Sequence, residues 1–163
     1  MKLLEFKNTI QEVWSESTSD KIQILKAHMQ ALVKDKDLIN QLTSPLIEDD
    51  LILDHDERLG YYLYAYSEGQ GTYRQPHNHG NGWVIYVVLS GIMEMATYFE
   101  TKSDDGESHI FEKEHYLLTS GDGRAFYPGD IHHTLSLSEG TIILRLTSID
   151  LRGELAIGRM KRY

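Results

Sequence analysis

From residue 51 onward, the chain is a succession of short apolar or alternating segments separated by glycine-containing turns. Ser90-Gly91, Ser120-Gly121-Asp122-Gly123, Pro128-Gly129-Asp130 and Ser138-Glu139-Gly140 are four of these turns. The segments between them are rich in valine, isoleucine, tyrosine and threonine, as strands are. The predicted strands are residues 51–53, 61–67, 83–89, 92–100, 109–111, 115–119, 124–127, 132–137, 141–148 and 155–161. Many short strands with such turns predict an antiparallel sandwich or barrel, so we expect a mainly β protein.

The first 48 residues have a different pattern, with apolar residues at helical spacing. Leu3, Phe6 and Ile10 form one such stripe, and Leu25 and Met29 belong to a second. The spacing predicts helices over residues 2–15 and from residue 20 to about 33–36, with a short third helix over 37–42. We expect residues 1–48 to be a helical segment packed on a β-barrel of residues 49–163, in one compact domain.

Composition and charge exclude several classes of function. The 163 residues include no cysteine, which removes disulfides, cysteine–metal sites and a thiol nucleophile. The formal net charge of −9 argues against nucleic acid or an anionic membrane as a partner. The N-terminus lacks the apolar region of a signal peptide, and no apolar run approaches the ~20 residues that span a bilayer. We therefore expect a soluble, cytoplasmic protein.

The segment Pro76-His77-Asn78-His79-Gly80-Asn81-Gly82-Trp83 concentrates the candidate chemistry. In an extended chain, side chains at i and i+2 lie on the same face, so His77 and His79 can reach one metal ion. His132 follows about 55 residues after His77, behind the turn Pro128-Gly129. Two histidines from one strand and one from a later strand would make an open three-ligand metal site. His133 is the alternative third ligand, although it should point to the opposite face.

These residues resemble the two motifs of the cupin superfamily. The usual first motif is Gly-x5-His-x-His-x(3–4)-Glu-x6-Gly, and Gly71, His77, His79 and Gly91 match it in type and spacing. The Pro-Gly-x-x-His core of the second motif is matched by Pro128, Gly129 and His132. The resemblance covers residues 60–148 and implies an antiparallel double-stranded β-helix, the cupin or jelly-roll barrel, that binds one metal.

One departure from the first motif narrows the implied function. Val84 stands where cupins usually have their glutamate ligand. Cupins with three histidines and no glutamate include the cysteine dioxygenase-like thiol dioxygenases, and the Pro-His-x-His-Gly-x-x-Trp segment looks like their bacterial relatives. The resemblance implies that His77, His79 and His132 bind iron(II), with nickel, zinc or manganese as alternatives. It also implies dioxygen and a small thiol, or a similar chelating anion, as substrates, with a sulfinate as the product of thiol oxidation.

The substrate contacts are less well matched. Many thiol dioxygenases have a Ser-x-His-x-Tyr array on a strand after the third ligand, and here Arg145, Thr147 and Ile149 occupy the corresponding positions. Arg145, Tyr127 and Arg58 are our candidate substrate contacts. Arg145 is expected either to pair with an acid such as Glu94 or to receive a ligand anion. Tyr86 is interpreted as core or pocket wall.

Other functions are compatible with the same motifs. The chain could be a different metal-dependent cupin enzyme, such as an isomerase or a dioxygenase for a non-thiol substrate. It could also be a non-catalytic cupin that binds a small molecule. By analogy with other cupins, we expect a homodimer formed through an exposed sheet edge.

Overall fold

The computed structural model describes residues 1–14, 18–43 and 50–163, and within them two antiparallel sheets face each other. The helices are α1 (Leu3–Val13), α2 (Ser19–Leu32), α3 (Lys36–Thr43) and α4 (Leu151–Ala156). The strands are β1 (Leu51–Asp56), β2 (Tyr61–Glu68), β3 (Tyr73–His77), β4 (Val84–Ser90), β5 (Met93–Lys102), β6 (Ser108–Leu118), β7 (Gly123–Phe126), β8 (Ile131–Ser136) and β9 (Thr141–Thr147). The prediction of a mainly β, antiparallel fold is confirmed.

The chain passes repeatedly between the two sheets. One sheet has the strand order β1-β2-β9-β4-β7, and the other has the order β3-β8-β5-β6. The connections β4–β5 and β7–β8 each join a strand of the first sheet to a strand of the second, which closes the two sheets around a common interior. Strand β6 has 11 residues and is an outer strand of its sheet. The homodimer through a sheet edge stays a prediction.

The five-stranded sheet is buried on both faces. Successive side chains of a strand alternate in direction, so each strand contributes residues to both faces. Tyr61, Leu63 and Ala65 belong to the apolar cluster that also contains residues of α1, α2 and α3. Tyr66 belongs to a second cluster, inside the barrel, with Val84 and residues of the other sheet. The helices therefore cover one face of the sheet and the barrel interior lies on the other.

Trp14, the residue that follows α1, contacts the barrel and links the helical segment to it. Its indole Nε1 donates a hydrogen bond of 2.9 Å to the Leu59 carbonyl, and its ring packs against Tyr61 and Trp83. The three predicted N-terminal helices are present, with ends shifted by a few residues. The expected boundary between helical segment and barrel, at residues 48 and 49, lies outside the described residues, as does residue 15 of the first predicted helix.

The prediction of a strand at residues 155–161 is wrong. Asp150 caps a helix there, since its carboxylate accepts a hydrogen bond of 3.0 Å from the Arg152 amide, and α4 follows. Only the last residues of the chain are extended, with one bridge between Arg162 and His77. The two strands predicted at 109–111 and 115–119 are one continuous strand, β6. None of the helices in the described part of the chain is both long and apolar enough to cross a membrane.

Gly91, between β4 and β5, lies where the chain packs closely against Thr141. Its φ is +88°, and a Cβ there would lie 2.7 Å from the Thr141 Cα. Gly106 has a similar φ of +86°, but a Cβ there would have no neighbour within 4 Å. We expect Gly91→Ala to lower the unfolding free energy by about 1–3 kcal/mol more than Gly106→Ala does. Urea denaturation measures the difference, and equal losses in the two variants would contradict this packing.

Candidate metal centre

The pairing of β3 with β8 brings the three predicted histidines together. His77 is the last residue of β3 and lies directly opposite His132 of β8, and His79 follows two residues later. Cross-strand partners in an antiparallel pair point to the same face. One ligand nitrogen from each of His77, His79 and His132 lies within 4.8 Å of the others. The side-chain geometry is thus that of a three-histidine cluster on the inner face of the four-stranded sheet.

Several nitrogens of the cluster have no partner. Nδ1 of His79 and both ring nitrogens of His132 are buried and make no hydrogen bond with any described residue. His77 is oriented by a contact of 2.8 Å between its Nδ1 and the Gln75 carbonyl, which leaves Nε2 for a ligand. Buried polar atoms are normally satisfied, because leaving them without a partner costs free energy. A metal ion would take one nitrogen from each ring, including the free Nδ1 of His79 and one nitrogen of His132, and the residues present therefore fit a metal.

Burial also keeps the imidazoles in the form that binds metals. It lowers the pKa of His79 and of His132 well below the ordinary value of 6.5. Burial lowers the pKa of His77 as well, and its hydrogen bond to Gln75 opposes the change. A neutral imidazole has a free lone pair, whereas a protonated one has none. The three side chains are neutral, and able to bind a cation, at pH 7.

The walls around the cluster are aromatic and apolar. Phe126 stacks on the His132 ring with centroids 3.8 Å apart, and Val84 lies in the same interior cluster of side chains. Among the described residues, the group that could hold a metal consists of the three histidines without a carboxylate. Val84 is fully buried in the barrel interior, in agreement with a site that lacks the glutamate of the usual motif.

Tyr86 is a component of the site that the sequence indicated only as core or pocket wall. Its hydroxyl lies 3.2 Å from Nε2 of His79. Burial raises its pKa, so the phenol stays protonated and can donate a hydrogen bond. Strand alternation could have found it: Tyr86 is two residues after Val84 and must face the same interior.

Arg145 also faces the barrel interior, from the central strand β9. It lies opposite Tyr64 and Tyr86 in the neighbouring strands, and its guanidinium carbon is 4.8 Å from the Tyr64 ring centroid. Its acidic neighbour is Asp50, at 3.6 Å. The expected pairing with Glu94 is wrong, because Glu94 points out of the other sheet and approaches His115 and His133 instead. Nε of Arg145 is buried without a partner among the described residues.

Two of the candidate substrate contacts lie away from the histidines. Tyr127 follows Phe126 in the chain and so faces the opposite side of the sheet, towards the helices. Its hydroxyl accepts a hydrogen bond of 2.8 Å from Gln23 and lies 3.1 Å from the Ser19 hydroxyl. Arg58 is exposed in the turn between β1 and β2, at the edge of the five-stranded sheet. The structure does not bring either side chain to the histidine cluster, and a role in substrate binding stays a prediction for both.

His133 is not a ligand in this geometry. Its ring faces outward from the four-stranded sheet, and Nδ1 lies 2.6 Å from the Tyr98 hydroxyl. Successive residues of β8 point to opposite faces, so only one of the two adjacent histidines can enter the barrel. That residue is His132, which has no exposed surface.

Comparison with known proteins identifies the fold. No protein-family model matches the chain, and neither does any curated protein. Among solved structures, the cupin domain of Cnp3 from Schizosaccharomyces pombe has a TM-score of 0.51 at 10% identity, over 72% of this chain and 77% of that one. KdgF from Halomonas sp. has a TM-score of 0.48 at 18% identity, over 60% and 76%. Hydroquinone 1,2-dioxygenase PnpCD has 0.47 at 16%, over 67% and 69%.

The chain has the cupin fold, an antiparallel double-stranded β-helix. The Cnp3 match carries this conclusion together with the two interleaved sheets. At such low identity the likeness concerns the fold alone. Chemistry has to be argued from the side chains of this chain, and in particular from the three histidines inside the barrel.

The burial of the histidines predicts a pH dependence of stability. The folded pKa values of His79 and His132 lie below the ordinary 6.5, so in that interval the unfolded chain binds protons that the folded chain does not. Their contribution to the unfolding free energy is therefore complete above about pH 6.5 and is lost as the pH falls. Urea denaturation of the metal-free protein between acidic and neutral pH measures this loss, at up to about 1.4 kcal/mol per pH unit and group.

The variant His132→Leu removes one of these groups and should give a shallower pH dependence. His133→Leu is the matched control, because the neighbouring side chain faces outward and bonds to Tyr98. An unchanged slope in His132→Leu would show that the buried histidine does not cause the pH dependence.

Proposed function

We propose that this protein is a metal-dependent dioxygenase that oxidises a small thiol or a similar chelating anion. The observation that carries the proposal is the cluster of His77, His79 and His132, in which three ligand nitrogens lie within 4.8 Å of one another. Buried, neutral imidazoles with unpartnered nitrogens are the ligand set of an open metal site. The three histidines are the proposed ligands.

The ligand set favours iron(II), with nickel, zinc and manganese as the alternatives. Three neutral nitrogens leave the ion its full charge and several open positions, which suits a chelating anion. When bound, iron(II) supplies adjacent positions for substrate and dioxygen and the redox chemistry that activates dioxygen. The protein's own groups keep the site dry and neutral, since His79 and His132 have no exposed surface.

Polar atoms around the cluster support a bound polar ligand. Thr97 lies opposite His132 in the sheet, Thr147 lies opposite Val84, and both hydroxyls are buried without a partner among the described residues. Tyr86 adds a protonated phenol next to His79. These donors come from three different strands of the two sheets that enclose the histidines, so they are proposed to orient a ligand at the metal.

Arg145 is the proposed contact for the anionic group of the substrate. Its buried Nε has no partner among the described residues, and the 3.6 Å contact with Asp50 is longer than a good hydrogen bond. The rings of Tyr64 and Tyr66 lie 4.8 and 5.1 Å from the guanidinium carbon and help to hold it in place. A thiol that also carries a carboxylate could therefore bind the metal and Arg145 together.

Metal content tests the ligands. After anaerobic loading with iron(II), the wild-type chain should retain stoichiometric iron, whereas His77→Ala and His132→Ala should lose it, because three ligands cannot be reduced to two without a large loss of affinity. Elemental analysis of desalted protein gives the result. His133→Ala is the control and should retain the wild-type content. Equal iron in all four proteins would remove the metal proposal.

Oxygen consumption tests the reaction and the substrate class. The iron-loaded protein should consume dioxygen with a small thiol, and a thiol that carries a carboxylate should have a lower KM than cysteamine. Arg145→Gln should raise the KM for the carboxylate thiol by about tenfold, since it removes a charge-assisted contact, and leave that for cysteamine unchanged. Metal-loaded protein that consumes no oxygen with any thiol would instead favour an isomerase, a non-thiol dioxygenase or a binding protein.

A further inference from the structure

The last residues of the chain lie along the strand that carries the histidines. The Asn78 amide donates to the Lys161 carbonyl at 3.0 Å, and the Tyr163 amide donates to the Pro76 carbonyl at 2.9 Å. The Asn78 side chain accepts from the Lys161 amide, also at 3.0 Å. We call residues 159–163 the C-terminal tail. It pairs with the end of β3 on the side that β8 leaves free.

The start of the tail is also held in place. Glu154 of α4 is buried, and its carboxylate accepts from the Arg159 side chain and, at 3.2 Å, from the Asn81 amide. Gly80 makes room for this contact, because a Cβ there would lie 2.4 Å from the carboxylate. The tail is therefore held at its start, through Glu154, to the loop that contains His79, and at its end to β3.

A cavity of about 230 Å³ lies between the tail and β3. It is lined by Tyr73, Arg74, Gln75, His77, Met160 and Arg162. The lining contains two arginines and no acid. Drug-sized ligands occupy pockets of roughly 300–1,000 Å³, so this cavity suits a smaller molecule or one group of a molecule.

The two arginines have different environments. Nε of Arg74 bonds to the buried carboxylate of Glu68 at 2.6 Å, which fixes the guanidinium while its terminal nitrogens stay available. Arg162 is exposed and has no ion pair with any described residue. Glu68 thus offsets one positive charge and orients that arginine, and Arg162 contributes a positive charge that nothing described neutralises.

We propose that this cavity binds a small oxyanion, phosphate or carboxylate in chemistry, between Arg74 and Arg162. Planar guanidinium groups bind such oxygens through paired N–H donors, and a partly enclosed site strengthens these contacts relative to the open surface. The protein as a whole carries a net charge of −9, so a cationic pocket free of acids is a local exception.

Binding at this place also acts on the tail. Arg162 belongs to the tail and Arg74 belongs to β3, so an anion held by both joins the two segments. Ligands that bind only the folded arrangement stabilise it by mass action. The cavity adjoins the histidine cluster, because His77 lines it and Arg162 lies opposite His77 in the bridge. Its two arginines are distinct from Arg145, and the proposed anion site needs no metal.

Inorganic phosphate is the probe. Calorimetric titration of the full chain at low ionic strength should show binding, and Arg162→Gln should weaken it by about tenfold, the loss of one charge-assisted contact. Arg162→Glu should abolish it. Lys161→Gln is the control, because its side chain carries the same charge one residue away but does not line the cavity. Phosphate should also raise the Tm of the wild-type chain and of Lys161→Gln, but not that of Arg162→Glu.

The titration is repeated on protein stripped of metal. Unchanged phosphate affinity in the stripped protein places the anion in the cavity. Loss of binding on stripping would mean that phosphate binds the metal, and the cavity proposal would be wrong. Equal weakening of phosphate binding in Arg162→Gln and Lys161→Gln would show that only the general positive charge matters. That result would also overturn the cavity proposal. Because the stripped protein is used, failure of the metal proposal leaves this outcome unaffected.

Discussion

The pairing of β3 with β8 is the interaction on which the candidate site depends. It sets His77 opposite His132, and the bend after β3 returns His79 to the same place. The barrel then encloses all three imidazoles, which lowers their pKa values and leaves nitrogens without partners. A cluster of this kind is unfavourable as a purely structural element, because it gives up hydration without gaining hydrogen bonds. The rest of the molecule keeps that pairing in register.

Three layers contribute to this task. The helices cover the outer face of the five-stranded sheet, so that sheet can be apolar on one side and present Tyr66, Tyr86 and Arg145 on the other. The four-stranded sheet carries the histidines on its inner face and an outward polar row, including Glu94 and His133, on its outer face. The C-terminal tail then closes the free side of β3.

The reliability of the sequence-based predictions followed the range of the interactions involved. Alternation within one strand correctly separated His132 from His133, and it would have placed Tyr86 inside the barrel next to Val84. Helical spacing located the N-terminal helices. Errors occurred where the partner is distant in the chain: Arg145 meets Asp50 and not Glu94, and Tyr127 bonds to Gln23 of a helix. The apolar pattern of residues 155–161 predicted a strand. Asp150 instead caps a helix, α4, that begins four residues before this segment.

Residue type, periodicity and spacing along one strand are enough to predict the class of fold, the three histidines and the absence of a carboxylate at Val84. Which polar groups lie around the cluster depends on the tertiary structure. Tyr86, Thr97, Thr147 and Arg145 come from strands β4, β5 and β9, and the tail that brings Arg162 beside His77 follows a helix. Their meeting depends on sheet order and register between distant segments, which local pattern does not encode.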